Sequence, residues 1–263
     1  MGLNIVKDNL KTFIFIKEHP DESIIFTDVD GTLSEIAENP TAAIVAPKIK
    51  DIIARVADIY KVVAISGRPP REIKKMIGSE NIIYVGSHGW ERLENDQLTA
   101  KGSSLEEEGI KEIKTLLARS MRRQGIYFEG KENGLAVHYR LAENRDKIKE
   151  EIIEAVGPLV KHLGFKVILG KMVVEISSNL TDKGEAMADI IREFDKVKVL
   201  YIGDDQTDVD AFMKLKELRG ESVIKGFALG VLSPEVPDSV KAEADYFFRS
   251  VDEVAFFLQW LTS

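Results

Sequence analysis

The apolar runs SIIFTD, VVAIS, IIYVGS, KVLYIGDD and VIKGFAL alternate with helix-period segments over Pro47 to Tyr60, Pro70 to Ile77, Lys183 to Phe194 and Thr207 to Leu218. This alternation restricts the fold more than any other feature of the chain. Parallel strands need a crossover between them, and a helix supplies it. The repetition therefore predicts an α/β core with a parallel sheet, helices on both faces, and ligands at the carboxyl ends of the strands. A short edge-like run, ADYFFR, and a last helix, VDEVAFFLQWL, close the series. The first 22 residues are expected to form an amphipathic helix packed on this core through Leu10, Phe13, Ile14 and Ile16.

From Glu91 to Ile176 the rhythm changes. Amphipathic helices over Leu105 to Arg123 and Glu143 to Leu163 are each followed by strands, IYFEG and LAVHYR after the first, FKVILG and MVVEIS after the second. Helices segregated from an antiparallel sheet make an α+β unit. Residues 91–176 are thus expected to form a small domain inserted into a core of residues 1–90 and 177–263, joined near Trp90 and near Ser177 to Asp182. A chain of 263 residues, 44% hydrophobic, is long enough for two such unequal domains.

Composition removes several function classes. With no cysteine there is no disulfide, thiolate metal site or cysteine nucleophile, so any metal is held by oxygen or histidine. A net charge of -8 and the lack of a Lys and Arg stripe argue against a nucleic-acid partner. No apolar run approaches the roughly 20 residues that span a bilayer. Lys7, Asp8, Lys11 and Lys17 also break up the first segment as a leader core. No membrane partner and a cytoplasmic location are expected.

The chemistry begins at FTDVDGTL. Asp28 and Asp30 oppose the strand that Ile24, Ile25 and Phe26 build, since Asp is a poor strand former. Placed at a strand's carboxyl end and turned by Gly31 and Thr32, both carboxylates would point into the crevice. One can attack a phosphoryl group, and the other can protonate the leaving oxygen and then take a proton from water. Attack of an anion on an anion needs positive charge nearby. In GDDQTDVD, Asp204, Asp205 and Asp208 are hard oxygen ligands of the kind Mg²⁺ prefers. Ser66 and the backbone N–H of Gly67 end the second strand and can hold a phosphoryl oxygen. Lys183 opens a core helix and brings a cation beside the helix dipole.

DVDGT, Ser66, Lys183 and GDDxxD together resemble the four-motif signature of the haloacid dehalogenase (HAD) superfamily of phosphatases. That resemblance implies a HAD-like Rossmannoid core with an inserted cap that chooses the substrate. It makes Asp28 the nucleophile, Asp30 the general acid/base, and Ser66 and Lys183 the phosphoryl-holding residues. It also puts Mg²⁺ on Asp28, Asp204 and the backbone carbonyl of Asp30. SGRP (Ser66 to Pro69), SHG (Ser87 to Gly89), FEGKENGLAVHYR (Phe128 to Arg140), GKMVVE (Gly170 to Glu175) and GDDQTDVDAF are similar to the trehalose-6-phosphate phosphatase family in particular. This likeness implies a sugar-phosphate substrate met by Gly67, Arg68, His88, Lys131, His138, Arg140, Lys171 and Glu175. A functional link to a trehalose-6-phosphate synthase and a monomeric state are expected with it. The chain departs from the family pattern at Ser177-Ser178-Asn179, where an Arg is usual after the cap glutamate, and at Val209, where a Glu is usual.

Two other readings stay open on sequence. One keeps the chemistry with another phosphorylated sugar or glycoside, such as sucrose phosphate or mannosyl-3-phosphoglycerate. The other is a silent sugar-phosphate sensor, against which the intact Asp28, Asp30, Lys183 and Asp204 speak.

Overall fold

A computed structural model of the chain describes residues 3–36, 43–101, 104–121, 125–131, 134–170, 172–178, 182–234 and 236–263. It divides into two compact units, Met1–Thr99 with Asp182–Ser263, and Ala100–Thr181. In chain order the larger unit opens with α1 (Ile14–Lys17), β1 (Ser23–Thr27), α2 (Pro47–Ile59), β2 (Lys61–Ile65), α3 (Pro70–Ile77), β3 (Ile82–Gly86), β4 (Glu91–Glu94) and β5 (Gln97–Ala100). The smaller unit contains α4 (Ser104–Ser120), β6 (Tyr127–Lys131), β7 (Gly134–His138), α5 (Arg145–Leu163), β8 (Phe165–Gly170) and β9 (Val173–Ser178). The larger unit resumes with α6 (Lys183–Phe194), β10 (Lys198–Gly203), α7 (Asp208–Gly220), β11 (Lys225–Val231), α8 (Asp238–Glu243), β12 (Tyr246–Phe248) and α9 (Val251–Leu261).

The core sheet has the order β12-β11-β10-β1-β2-β3-β4-β5, parallel from β12 to β3. Strand order reverses between β1 and β10, so the crevice opens at their carboxyl ends. All of β1 is buried, as a strand covered on both faces must be. Ile25, Val62 and Leu200 pack with residues of α2, α3 and α9 on one face. Ile24, Phe26, Val63 and Tyr201 pack with residues of α6, α7 and α8 on the other.

Two local expectations are corrected. Glu91–Glu94 does not leave the core sheet: it pairs antiparallel with β3, Tyr84 opposite Leu93 and Gly86 opposite Glu91, and Leu93 is buried in the core. With so few apolar residues in ERLENDQLTA, its periodicity gave no strand signal. The first segment is mainly a 3-10 helix over Lys7–Phe13 followed by the single turn of α1. Asn9 leaves helical backbone angles there, and its side chain donates to the carbonyl of Ile5. Phe13 and Ile16 are buried as expected, with Phe13 edge-on to Phe227, Tyr246 and Phe257, but Ile14 is 38% exposed. Ile5 bridges Phe247, which covers part of the edge strand β12.

The smaller unit is a four-stranded antiparallel sheet of order β6-β7-β9-β8. Leu135, Val137, Val174 and Ile176 face α4 and α5 and form its core with Ile113, Leu117, Ile152 and Val156. The alternate residues, among them Glu129, His138 and Glu175, lie on the opposite face, with Ala136 in register with both Glu129 and Glu175. No helix among the described residues is long and apolar enough to cross a membrane.

Candidate active site

The sheet hydrogen bonding runs one residue past the strands and so positions the first side chains. The N–H of Asp28 donates to Ile202 at 2.8 Å, and that of Ser66 to Val85 at 3.0 Å. Asp28, Asp30, Ser66, Gly67, Arg68, His88, Lys183 and Asp205 then line one pocket of about 480 Å³. Asp28, Ser66, Lys183, Asp204 and Asp208 are buried, Asp30, Arg68 and His88 half-buried, and Asp205 exposed.

Lys183 is the first residue of α6, whose N-terminus is capped by Asp182 accepting from Gly184 and Glu185. Asp182 with Glu185 three residues on is a capping pattern legible in the sequence. Its ammonium donates to Asp28 Oδ1 at 2.9 Å and to Asp208 Oδ1 at 2.7 Å. Burial alone would discharge this lysine, but Asp208 and Asp28 outweigh it and hold the cation well above its ordinary range.

Asp208 is the most constrained carboxylate. Oδ1 accepts from Lys183 and from the Tyr201 hydroxyl, and Oδ2 from the backbone N–H of Asp204 and of Asp205. These donors fill the roughly four acceptor sites of a carboxylate. Asp205 accepts through Oδ1 from the N–H and hydroxyl of Thr207, which forms the turn into α7. Asp204 accepts from the Thr32 hydroxyl at 3.1 Å. Thr32 stood in the sequence only as part of the turn after Asp30, and Tyr201 carried no signal, because their partners lie far along the chain or at an unmotivated spacing.

One carboxylate oxygen from each of Asp28, Asp204 and Asp208 lies within 4.8 Å of the others, an acidic cluster able to hold a cation. The cradle fits that use. Gly31 has φ +80°, and a Cβ there would sit 2.1 Å from Asp204 Oδ2, so only glycine lets the first loop close on this carboxylate. Asp28 and Asp204 each keep an oxygen that no described hydrogen bond engages, whereas Asp208 is fully occupied. The donor set is all hard oxygen.

Burial, with Asp208 and Asp205 close by, pushes Asp204 up to about 7. Burial likewise raises Asp28 well above the carboxylate range, against the pull of Lys183. A carboxyl whose folded-state proton affinity is raised contributes most below its unfolded value, and that contribution fades as pH rises through the folded value. For Asp204, a shift from 3.8 to about 7 is worth at most roughly 4 kcal/mol. The cation-free protein should therefore melt at lower temperature at pH 8 than at pH 5. Millimolar divalent cation should raise the midpoint strongly at pH 8 and little at pH 5, because proton and cation compete for the same oxygen. Calorimetry with chelator and with added cation checks this, and an equal rise at both pH values would contradict it.

Of the other residues singled out in the sequence, Arg68 is bonded to Asp30 and Glu72, described below. His88 stands in a loop where Ser87 and His88 both have positive φ, and its ring packs against Gly67. In the smaller unit His138 Nε2 lies 2.8 Å from Glu129 Oε2, Arg140 is exposed and Glu175 is half-buried. Lys131 is the last residue of β6; its side chain, and the whole of Lys171, lie outside the described residues. Val209, where the family pattern has Glu, is the second residue of α7 and is buried in the core.

A family model described as trehalose-phosphatase matches residues 26–252. The chain belongs to the trehalose-phosphatase family. Trehalose-phosphate phosphatase B of Arabidopsis thaliana is 28% identical over 256 residues, covering 90% of this chain and 66% of that protein. Trehalose-phosphate phosphatase of Mycobacterium avium is 33% identical over 202 residues, covering 72% of this chain and 50% of that protein. The chain thus spans about one half to two thirds of these curated relatives. In fold it resembles the trehalose-6-phosphate phosphatase of Aspergillus fumigatus, with a TM-score of 0.79 at 22% identity over 99% of both chains. A haloacid dehalogenase-like hydrolase from Bacteroides thetaiotaomicron matches with a TM-score of 0.66 at 14% identity, over 91% of this chain and 99% of that one.

Proposed function

We propose that the chain is a magnesium-dependent phosphatase that hydrolyses trehalose 6-phosphate to trehalose and phosphate through an aspartyl-phosphate on Asp28. The observation that carries this reading is the buried Asp28 at the carboxyl end of β1, tied to Lys183 at 2.9 Å and set beside Asp204 in a cation-ready cluster. Family membership supplies the substrate.

A carboxylate oxygen of Asp28 attacks phosphorus, and the bond from phosphorus to the sugar oxygen breaks. Asp30 gives its proton to that departing oxygen, then takes one from the water that attacks the aspartyl-phosphate and restores Asp28. Lys183 spends two of its three donors on Asp28 and Asp208, leaving the third for a phosphoryl oxygen. The Ser66 hydroxyl and the Gly67 N–H take others. Asp28 and Asp204, with the Asp30 carbonyl, would hold Mg²⁺, which when bound offsets the negative charge of phosphate and carboxylates. Asp208, with its acceptor sites filled, holds Lys183 and the backbone of residues 204 and 205 rather than the ion.

The unit of residues 100–181 is assigned the choice of sugar. Its polar sheet face offers Glu129, His138 and Glu175 for hydroxyls, and Lys131, Arg140 and Lys171 are assigned to it by family pattern. A cytoplasmic monomer, linked in function to a trehalose-6-phosphate synthase, completes the reading.

Phosphate release from trehalose 6-phosphate, glucose 6-phosphate, sucrose 6-phosphate and mannosyl-3-phosphoglycerate, with Mg²⁺ and with EDTA, tests it. Release from trehalose 6-phosphate alone, lost in EDTA, is the expected result. Metal-dependent release from a different substrate would keep the core chemistry and remove the assignment of the sugar-reading residues.

A further inference from the structure

Arg68 makes contacts that no role in substrate binding explains. Its Nε donates to Asp30 Oδ2 at 2.6 Å and its Nη2 to Asp30 Oδ1 at 2.8 Å, a two-pronged fork on one carboxylate. Nη1 contacts Glu72 Oε1, in the first turn of α3. The guanidinium is held from both ends. Its backbone is held as well: the N–H donates to Ser66 Oγ at 3.2 Å and the carbonyl accepts from Ser87 at 3.0 Å. The Arg68 side chain is 12% exposed, against 36% for Asp30. The more exposed carboxylate is therefore held by a nearly buried cation that is itself bonded to Glu72 of α3.

We infer that Arg68, oriented by Glu72, is the positioning residue for the proton-transferring carboxylate of Asp30. A fork engages one acceptor site on each oxygen and leaves the other free, so it fixes the carboxylate plane without closing Asp30 to proton exchange. A lysine would give a point charge with no preferred plane. This inference rests on the reading of Asp30 as general acid/base. In that step Asp30 passes its proton to the sugar oxygen as the bond from phosphorus to oxygen breaks, and the resulting carboxylate keeps the fork. Orientation matters where the leaving oxygen needs the proton, as an alkoxide does and a nitrophenolate does not.

The test compares trehalose 6-phosphate with 4-nitrophenyl phosphate for wild type, Arg68→Ala, Arg68→Lys, Glu72→Gln and Asp30→Asn. Arg68→Ala should lower kcat/KM, which ends at departure of the leaving oxygen and precedes the water step common to both substrates, roughly 100-fold on the sugar phosphate, within the usual range of general acid/base catalysis, and far less on the aryl phosphate. Guanidinium ion should restore part of the lost sugar-phosphate activity. Arg68→Lys should show the same selective loss, Glu72→Gln a smaller one, and Arg68→Ala combined with Asp30→Asn should be little worse than Asp30→Asn alone. A merely structural role would move both substrates together and respond to neither guanidinium nor the double substitution. If Asp30→Asn discriminates between the substrates but Arg68→Ala raises KM on both alike, Arg68 is a substrate ligand and the inference fails while the reading of Asp30 stands. If Asp30→Asn lowers kcat/KM on both substrates equally, Asp30 is not the acid, and both fall.

Discussion

Asp28→Asn is expected to lower phosphate release by at least about 10⁴-fold while leaving the protein folded, because an amide is not a nucleophile toward phosphorus. Lys183 would keep its contact with Asp208 at 2.7 Å, so no buried cation is stranded. Burial already works against the charge of Asp28, so a neutral isostere removes a cost in the cation-free protein. Its cation-free melting midpoint should consequently equal or exceed that of wild type. Acid quench of a reaction with ³²P-labelled substrate should trap labelled protein from wild type and none from the variant. Label retained by Asp28→Asn would move the nucleophile to another residue.

Asp208→Asn should act in the opposite manner, on the fold first and on activity through it. An amide presents its NH₂ either to Lys183 and Tyr201 or to the two backbone N–H groups, and in each orientation donors face donors. The site is fully buried, so no water relieves the clash. Breaking a buried ion pair from one side typically costs about 3–5 kcal/mol. Urea unfolding should show a midpoint lowered accordingly. Asp205→Asn, at an exposed position, should change stability by less than about 1 kcal/mol, since surface substitutions rarely do more. Equal destabilisation by the two variants would refute the separation of roles between these carboxylates.

That separation is one that motif spacing does not contain. GDDQTDVD presents Asp204, Asp205 and Asp208 as equivalent oxygen donors, and only the folded chain distinguishes them. Asp204 is brought to Gly31 and Thr32 of the first loop, Asp205 is spent on the turn at Thr207, and Asp208 lies under the sheet end with its acceptors filled. Arg68 is a similar case. SGRP suggested a contact with phosphate or hydroxyl, whereas the folded chain puts the guanidinium on Asp30 and Glu72. Glu72 stands in the first turn of the helix that the sequence predicts from Pro70, but Arg68 lies before that helix, so helical spacing did not pair the two.

By itself, the sequence determined the alternation of strands and helices, and with it the edge of the sheet on which Asp28, Ser66, Lys183 and Asp204 meet. Parallel strands joined by crossovers carry all their carboxyl ends to one side, so residues that follow successive strands converge whatever their separation along the chain. The tertiary structure alone decided that Lys183 bonds both Asp28 and Asp208, and that Glu91–Glu94 extends the core sheet. Hydrogen bonds of this kind join parts of the chain as much as 172 residues apart. A local pattern places a side chain at the end of an element, and only packing between elements sets what that side chain touches.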